Sequence, residues 1–307
     1  MNIITLTLNP ALDKSAKING LVPEQKLRCH SIINQPGGGG VNISRLLKRL
    51  QINTVCMVIL GGDTGTFFEE LLIKEEVKPT KIVVKTPTRE NFSVVDTQTG
   101  LQYRFGMPSN EIFQLEMDVI KNTLLQTVKK DDILVLSGSL PESMPTDFYA
   151  QLIKLISNVG AKIILDTSGK PLAEAIKEKV FLIKPNQKEL AQLAGKDFLT
   201  NPEQEAFALQ LVNSKQAEYV VVSLGARGAF MASKDGVIFQ TTPSVKVNST
   251  IGAGDSMVAG LIYALQNNLS PKEVLKWGVA CGVATTMSEG TNLASVVNIN
   301  RALKLIK

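Results

Sequence analysis

Ile133-Leu134-Val135-Leu136-Ser137 and Lys162-Ile163-Ile164-Leu165-Asp166 are two short apolar runs separated by a helical pattern over residues 145–157. Strands buried on both faces of a parallel sheet read this way: brief, rich in Ile, Val and Leu, and followed by longer amphipathic stretches. The alternation continues outward in both directions. Strands are expected at 3–8 and 55–60 on one side, and at 181–184 and 219–223 on the other. Helices are expected at 41–50, 67–75, 111–128, 170–177, 187–193 and 203–213, with late ones at 254–266, 271–287 and 298–305. This order implies an α/β fold, a mostly parallel sheet sandwiched by helices.

Two segments break the pattern. Residues from about 14 to 35 and about 88 to 107 have strand character without helices. Within the second, runs at 89–96 and 101–105 are joined by Thr97-Gln98-Thr99-Gly100, a hairpin signal. The two segments are expected to pair into a small discontinuous β-sheet lid that shields a reaction from water; an ordinary surface hairpin is the alternative. No repeat, low-complexity tract or long polar linker interrupts the chain, so one domain spanning 1–307 is expected.

Composition narrows the function classes. Hydrophobic residues make up 44% and charged residues 20% of the 307, enough apolar content for a sizeable core. The formal net charge of +5 suits small anionic substrates. Nucleic acid is not expected as a partner, because no Lys/Arg block interleaves with aromatics, which are only 5%. The three cysteines, Cys29, Cys56 and Cys281, are scattered and odd in number, which argues against a disulfide framework or CxxC metal site and fits a reduced, cytoplasmic setting. The single histidine, His30, is expected to be a partly exposed strand residue, so a Ser-His-Asp hydrolase and a zinc enzyme are both disfavoured. The first residues lack a basic region and read as a buried strand, not a signal peptide. No run of 18 apolar residues exists, so no membrane span is expected.

The chemistry concentrates at turns. Ser249-Thr250-Ile251-Gly252-Ala253-Gly254-Asp255 opens a helix. Helix N-termini present free N–H groups and a positive dipole end, and glycines let an anion approach them. Asp255 adds a proton acceptor beside that anion hole, a pairing that phosphoryl transfer to a hydroxyl requires. Read alone, the stretch is equally well a Gly-rich turn with a capping Asp. A second turn, Pro36-Gly37-Gly38-Gly39-Gly40-Val41-Asn42, fails as a dinucleotide fingerprint, because Asn42 or Ile43 occupies its third glycine position, and it lacks a Walker GK[ST]. Its glycines would let amides approach a small ligand, with Asn42 offering a donor and an acceptor. Asp13, after the first strand, would accept bonds from sugar hydroxyls or serve only as a turn residue. In Lys184-Pro185-Asn186-Gln187-Lys188-Glu189, the Asn186/Glu189 pair reads either as ligands of a hard cation or as a helix capping box. Ser223-Leu224-Gly225-Ala226-Arg227-Gly228 reads as a hairpin or as a backbone wall for a nucleotide. Lys26, Arg28, Arg89 and Arg104 lie in or beside the lid segments, and arginine suits bidentate phosphate binding.

Together these stretches resemble the PfkB, ribokinase-like family of sugar kinases over nearly the whole chain. The likeness rests on ordered motifs: Thr5-Leu6-Thr7-Leu8-Asn9-Pro10-Ala11-Leu12-Asp13, the PGGGGVN turn, Leu136-Ser137-Gly138-Ser139-Leu140-Pro141, the KPNxxE stretch, Ser223-Leu224-Gly225 and GAGDS. Within the family, Lys26-Leu27-Arg28, the all-glycine 37–40 turn and Tyr103-Arg104-Phe105-Gly106-Met107-Pro108 most resemble the minor-type 6-phosphofructokinases; Gly106 and Ser109-Asn110 depart slightly from that subgroup. The resemblance implies ATP-dependent phosphorylation of fructose-6-phosphate at its C1 hydroxyl, a glycolytic step. Tagatose-6-phosphate kinase and 1-phosphofructokinase are the alternatives, and a non-catalytic sugar-phosphate or nucleotide sensor is the alternative of another class.

The resemblance also implies roles. Asp255 is the base, and the amides of Gly252, Ala253 and Gly254 stabilise the transferring phosphoryl group. Asp13, Lys26, Gly38, Gly39, Asn42 and Ser139 hold the sugar, while Arg89 and Arg104 bind its phosphate. Lys184, Asn186, Ser223, Gly225 and Gly228 lie on the ATP side. Asn186 and Glu189 organise Mg²⁺. Backbone around Ser249, Ile251 and Gly290 would take a monovalent cation such as K⁺. Lids of this family often pair two subunits, which implies a homodimer.

Overall fold

Alternate residues of the central strands enter two different cores. Ile133 and Val135 pack with Ile3, Ile164, Leu182 and Val221 on one face of the sheet. Leu134 and Leu136 pack with Ile4, Leu6, Leu165 and Val222 on the other. This is the period-2 geometry of a pleated strand with both faces covered.

The structure, a computed structural model, describes residues 1–306. The last residue of the expected 1–307 domain, Lys307, lies outside the described residues. The strands are β1 (Ile3–Thr7), β2 (Ala11–Ile18), β3 (His30–Gly37), β4 (Val55–Leu60), β5 (Pro79–Val83), β6 (Arg89–Asp96), β7 (Gln102–Phe105), β8 (Ile133–Ser137), β9 (Lys162–Asp166), β10 (Val180–Ile183), β11 (Ala217–Ser223), β12 (Ala229–Ser233) and β13 (Gly236–Gln240). The helices are α1 (Gly39–Arg49), α2 (Gly62–Lys74), α3 (Gln114–Thr127), α4 (Phe148–Ile156), α5 (Gly169–Ala175), α6 (Gln187–Leu193), α7 (Asn201–Asn213), α8 (Ala253–Gln266), α9 (Pro271–Thr286) and α10 (Val296–Leu305).

The main sheet has nine strands in the order β13-β12-β11-β10-β9-β8-β1-β4-β5. It is parallel from β5 to β11, and antiparallel where β12 joins β11 and β13 joins β12. Helices α3 to α7 supply the core of one face, and α1, α8, α9 and α10 that of the other. Helices α8 and α9 approach so closely that a Cβ on Gly260 would lie 2.4 Å from the Trp277 carbonyl. That contact fixes the helix whose first turn carries Asp255.

The two β segments outside the main sheet form a separate four-stranded lid in the order β3-β2-β6-β7. Strand β2 runs antiparallel to β3 and parallel to β6, with Asp13 opposite both Gln35 and Asn91. His30 opens β3 and is exposed.

Differences from the sequence reading have local causes. Strand β5 was not expected, because Pro79 and Lys81 break its apolar pattern, and it forms only at the sheet edge. Residue 184 is not in a strand; β10 ends at Ile183. Helix α3 starts at Gln114, because Glu116 reaches back to accept from the Phe113 N–H at 2.8 Å. Helix α2 starts earlier than its apolar period shows, because its first turn, Gly62-Asp63-Thr64-Gly65, reads as a loop.

Candidate active site

The site lies along the carboxyl ends of the parallel strands, where ligands bind in open α/β sheets. Gly252, with φ +72°, turns the chain into α8, an inversion that a side chain would resist. The turn leaves the first amides of α8 outside its hydrogen-bond ladder. Asp255 sits in that first turn, half-buried, and its Oδ2 accepts from Asn42 Nδ2 at 2.8 Å.

Asp255 is held in a shifted state. Burial, and after it the charge of Asp166, pushes its carboxyl up to about 6; the Asn42 bond and the Lys184 ammonium oppose the rise, and Asp13 adds to it. Lys184 Nζ in turn pairs with Asp166 Oδ1 at 3.1 Å. Burial pulls that ammonium down, but Asp166, with Glu189 and Asp255, holds it above its ordinary value. Asp166 escaped the sequence reading. Its one signal was an acid ending an otherwise apolar buried strand, at the edge where ligands bind.

On the lid side, Asn91 joins two of the expected residues. Its Nδ2 donates to Asp13 Oδ1 at 3.0 Å, and its Oδ1 accepts from Arg89 Nη1 at 3.3 Å. Burial raises Asp13, against the Asn91 bond and the charges of Arg89 and Arg104. Arg89 also donates to the carbonyls of Met107 and Asn9, yet its Nε is buried without a partner among the described residues. A cavity of about 280 Å³ is lined by Asp13, Asn91 and Arg104 from the lid and by Ile251 and Thr291 from the body. Gly38, with φ +123°, caps α1, and Val41 N–H donates to Thr7 Oγ1 at 2.9 Å. Ser139 Oγ accepts from Asn9 Nδ2 at 3.0 Å. Lys26 is not brought into either cavity; it stands on the exposed stretch between β2 and β3, as does Arg28.

A second cavity of about 570 Å³ lies on the other side of the 249–255 turn. Ser223, Gly225, Gly228 and Gly254 line it, and apolar side chains of Val245, Val279 and Val283 complete its wall. Val279 and Val283 follow the ordinary core spacing of α9, and Val245 lies in the loop before α8, so none of the three carries a sequence signal for a ligand. Asn186 bridges to Ser223, and Lys184 Nζ would lie 3.5 Å from a Cβ on Gly254. Asn186 and Glu189 form the capping box: Glu189 N–H donates to Asn186 Oδ1 at 2.9 Å, and Asn186 N–H to Glu189 Oε2 at 2.8 Å. Burial raises the Glu189 carboxyl, and Asp166 adds to the rise. Among the described residues no group of three or more His, Cys, Asp or Glu gathers to hold a metal ion. Ser249 is buried, and Asn248 ties its loop to the end of α9 through bonds to the carbonyls of Thr286 and Met287, both 2.8 Å.

This geometry has known counterparts. The profile of the pfkB family carbohydrate kinases matches residues 4–297. The chain is 39% identical over 297 residues to the ATP-dependent 6-phosphofructokinase isozyme 2 of Escherichia coli (strain K12), covering 96% of each. It is 32% identical to the 1-phosphofructokinase of Bacillus subtilis (strain 168), covering 94% of this chain and 93% of that one. Among solved structures, phosphofructokinase-2 from Escherichia coli in complex with fructose-6-phosphate superposes with a TM-score of 0.93 at 36% identity, covering 99% of this chain and 98% of that one. The same enzyme in complex with potassium gives 0.95 at the same identity and coverage.

Proposed function

The chain belongs to the pfkB family of carbohydrate kinases, and from that premise we propose that it transfers the terminal phosphoryl group of ATP to the C1 hydroxyl of fructose-6-phosphate. One observation carries the reading. The 249–255 turn borders both cavities: Ile251 lines the smaller, and Thr250, Ala253 and Gly254 line the larger. A nucleotide in the larger cavity and a sugar in the smaller would meet at Asp255.

In the step itself, Asp255 takes the proton of the C1 hydroxyl. The freed oxygen attacks the γ-phosphorus, the bond to the β–γ bridging oxygen breaks, and ADP leaves. Amides of Gly252, Ala253 and Gly254 stabilise the charge that develops on the transferring group, although at rest the Ala253 N–H donates to the Thr250 carbonyl at 3.3 Å. Asp13 and Asn42, with the turn at Gly38 and Gly39 and with Ser139, orient the sugar. Arg89 and Arg104 take its phosphate, and the unpartnered Arg89 Nε supports an anion there. Lys184 supports the nucleotide phosphates.

Three carboxylates, Asp166, Glu189 and Asp255, act on one ammonium, and this negative field favours a divalent cation. Mg²⁺ would be held by Glu189 and Asn186 through its waters, together with nucleotide oxygens, and would neutralise phosphate charge. Backbone around Ser249, Ile251 and Gly290 would take K⁺. Exposed apolar residues on the lid, Ile32 at 63% and Phe105 at 47% among them, support a homodimer through that sheet. No helix among the described residues is long and apolar enough to cross a membrane; soluble phosphorylated substrates support a cytoplasmic enzyme. The body and lid work as one kinase unit.

The test is ADP release with fructose-6-phosphate, fructose-1-phosphate, tagatose-6-phosphate, fructose and ribose, compared by kcat/KM. Fructose-6-phosphate should be best. A higher value with an unphosphorylated sugar would refute the reading of Arg89 and Arg104.

A further inference from the structure

Arg45 is the largest fully buried side chain of the protein, at 1% exposure. A guanidinium out of water is costly unless its donors are used, and here they are. Nε and Nη2 donate to the two carboxylate oxygens of Glu75 at 3.0 and 2.5 Å. Nη1 donates to the Pro36 carbonyl at 2.8 Å and to Asn42 Oδ1 at 3.3 Å. Glu75 is braced in turn by Arg49 Nη2 at 3.3 Å, and Arg49 Nη1 donates to the carbonyls of Leu293 and Ala294. Although burial alone would raise it, Glu75 stays below its ordinary value because both arginines hold it charged.

Two of these bonds lead to the site. Pro36 precedes the four-glycine turn. Asn42 has an amide with an acceptor at one end and donors at the other. Arg45 can only donate and an ionised Asp255 only accept, so the two partners decide which way the amide faces. The chain Glu75–Arg45–Asn42–Asp255 therefore has a direction.

We infer that Arg45, clamped by Glu75, is a positioning residue: it fixes the rotation of the Asn42 amide, and so aims the N–H that orients the Asp255 carboxylate, while anchoring the sugar-side turn at Pro36. This rests on Asp255 being the base. A structural ion pair alone would neither need the third and fourth bonds nor couple to Asn42.

A double-mutant cycle tests it. Arg45→Lys keeps the charge but loses the fork. A misplacement of about 1 Å near the chemistry costs about 10²-fold, and a kcat loss of that order is expected, with the sugar-phosphate KM raised and the nucleotide KM unchanged within about twofold. In an Asn42→Ala background the same substitution should cost no more than about twofold in kcat, the scatter of independent sites. Asp13, Asp166 and Lys184 also face Asp255 and stay in place, so Arg45→Lys and Asn42→Ala should move the acid limb of kcat/KM upward alike. Equal losses in both backgrounds, or a matching rise in nucleotide KM, would overturn the inference. Should Arg45→Lys fail to fold, Glu75→Gln loosens the same clamp, and its smaller kcat loss should likewise vanish beside Asn42→Ala. Asp255→Asn is run in parallel. If it stays active, the reading of the site fails; if it is inactive while the cycle is additive, only the role of Arg45 fails.

Discussion

Lys184 Nζ lies 3.1 Å from Asp166 Oδ1, and the two side chains are only 6% and 12% exposed. The pair joins the ends of neighbouring parallel strands, one residue past β10 and at the last residue of β9. The ammonium offsets a carboxylate that would otherwise press on Asp255 alone. Removing one partner of a buried pair strands the other, a loss of about 3–5 kcal/mol. Lys184→Met should lower stability by about 3 kcal/mol in urea unfolding, raise the nucleotide KM and move the acid limb of kcat/KM to higher pH. Unchanged unfolding would show that the pair does not carry this load.

The pH profile follows from Asp255. A base must be ionised, so kcat/KM should fall with a slope of one proton below a midpoint of about 6. Linkage works in the opposite direction. The folded value is raised above the ordinary 3.8, so the native state binds the proton more tightly than the unfolded chain. The favourable contribution is complete below about 4 and is lost as pH rises through about 6. At pH 8 the ionised carboxylate is therefore a burden, on the order of 2 kcal/mol after allowance for the water that reaches it. Asp255→Asn should raise the melting temperature at pH 8 and bring little gain at pH 4. Stabilisation of equal size at both would contradict the shift.

Arg89→Ala removes the cation whose Nε has no partner among the described residues. A hydrogen bond to a charged group contributes about 1.5–3 kcal/mol, so the sugar-phosphate KM should rise by about one to two orders of magnitude. Initial rates with varied nucleotide should show its KM unaltered. Parallel increases for both ligands would place Arg89 elsewhere in the cycle.

Two glycines should respond differently to alanine. At Gly252 the obstacle is conformational: φ is +72°, and the nearest atom to an added Cβ is the flexible Leu293 Cδ2 at 2.9 Å. A left-handed residue costs about 1–2 kcal/mol, so Gly252→Ala should fold with reduced stability. At Gly39 an added Cβ would lie 2.2 Å from Ser137 Oγ and 2.9 Å from the Gly138 nitrogen, so backbone must move. Gly39→Ala should lower the melting temperature more and open the sugar-side turn. The reverse ranking in calorimetry would contradict this packing.

Which parts were legible in the sequence follows from where each signal sits. Strands β4, β8 and β9 stand out because apolar residues run unbroken between turn signals, and α6 because a capping box opens it. Strand β5 does not, since Pro79 and Lys81 interrupt its pattern and only the neighbouring β4 makes it a strand. In the site, Asp255 and the glycine turns are local in sequence. Asn91 and Asp166 are not: their meaning comes from Asp13 and Lys184, which are 78 residues and one crossover away respectively. Lys26 shows the converse, a residue singled out by motif that stands exposed, away from both cavities. Of the valine wall of the larger cavity, Val279 and Val283 have no signature beyond that of any packed helix, and Val245 is a lone apolar residue in the loop before α8.

The central claim is that Asp255 takes the hydroxyl proton. Rapid-quench single turnover with γ-labelled ATP and fructose-6-phosphate, comparing Asp255→Asn with the unaltered protein, measures that step directly. General-base catalysis contributes about 10²–10⁴-fold. In Asp255→Asn, phosphoryl transfer should slow by at least about 10²-fold while both ligands still bind and the fold is retained. Transfer at a near-normal rate in a folded, saturated Asp255→Asn enzyme would contradict it.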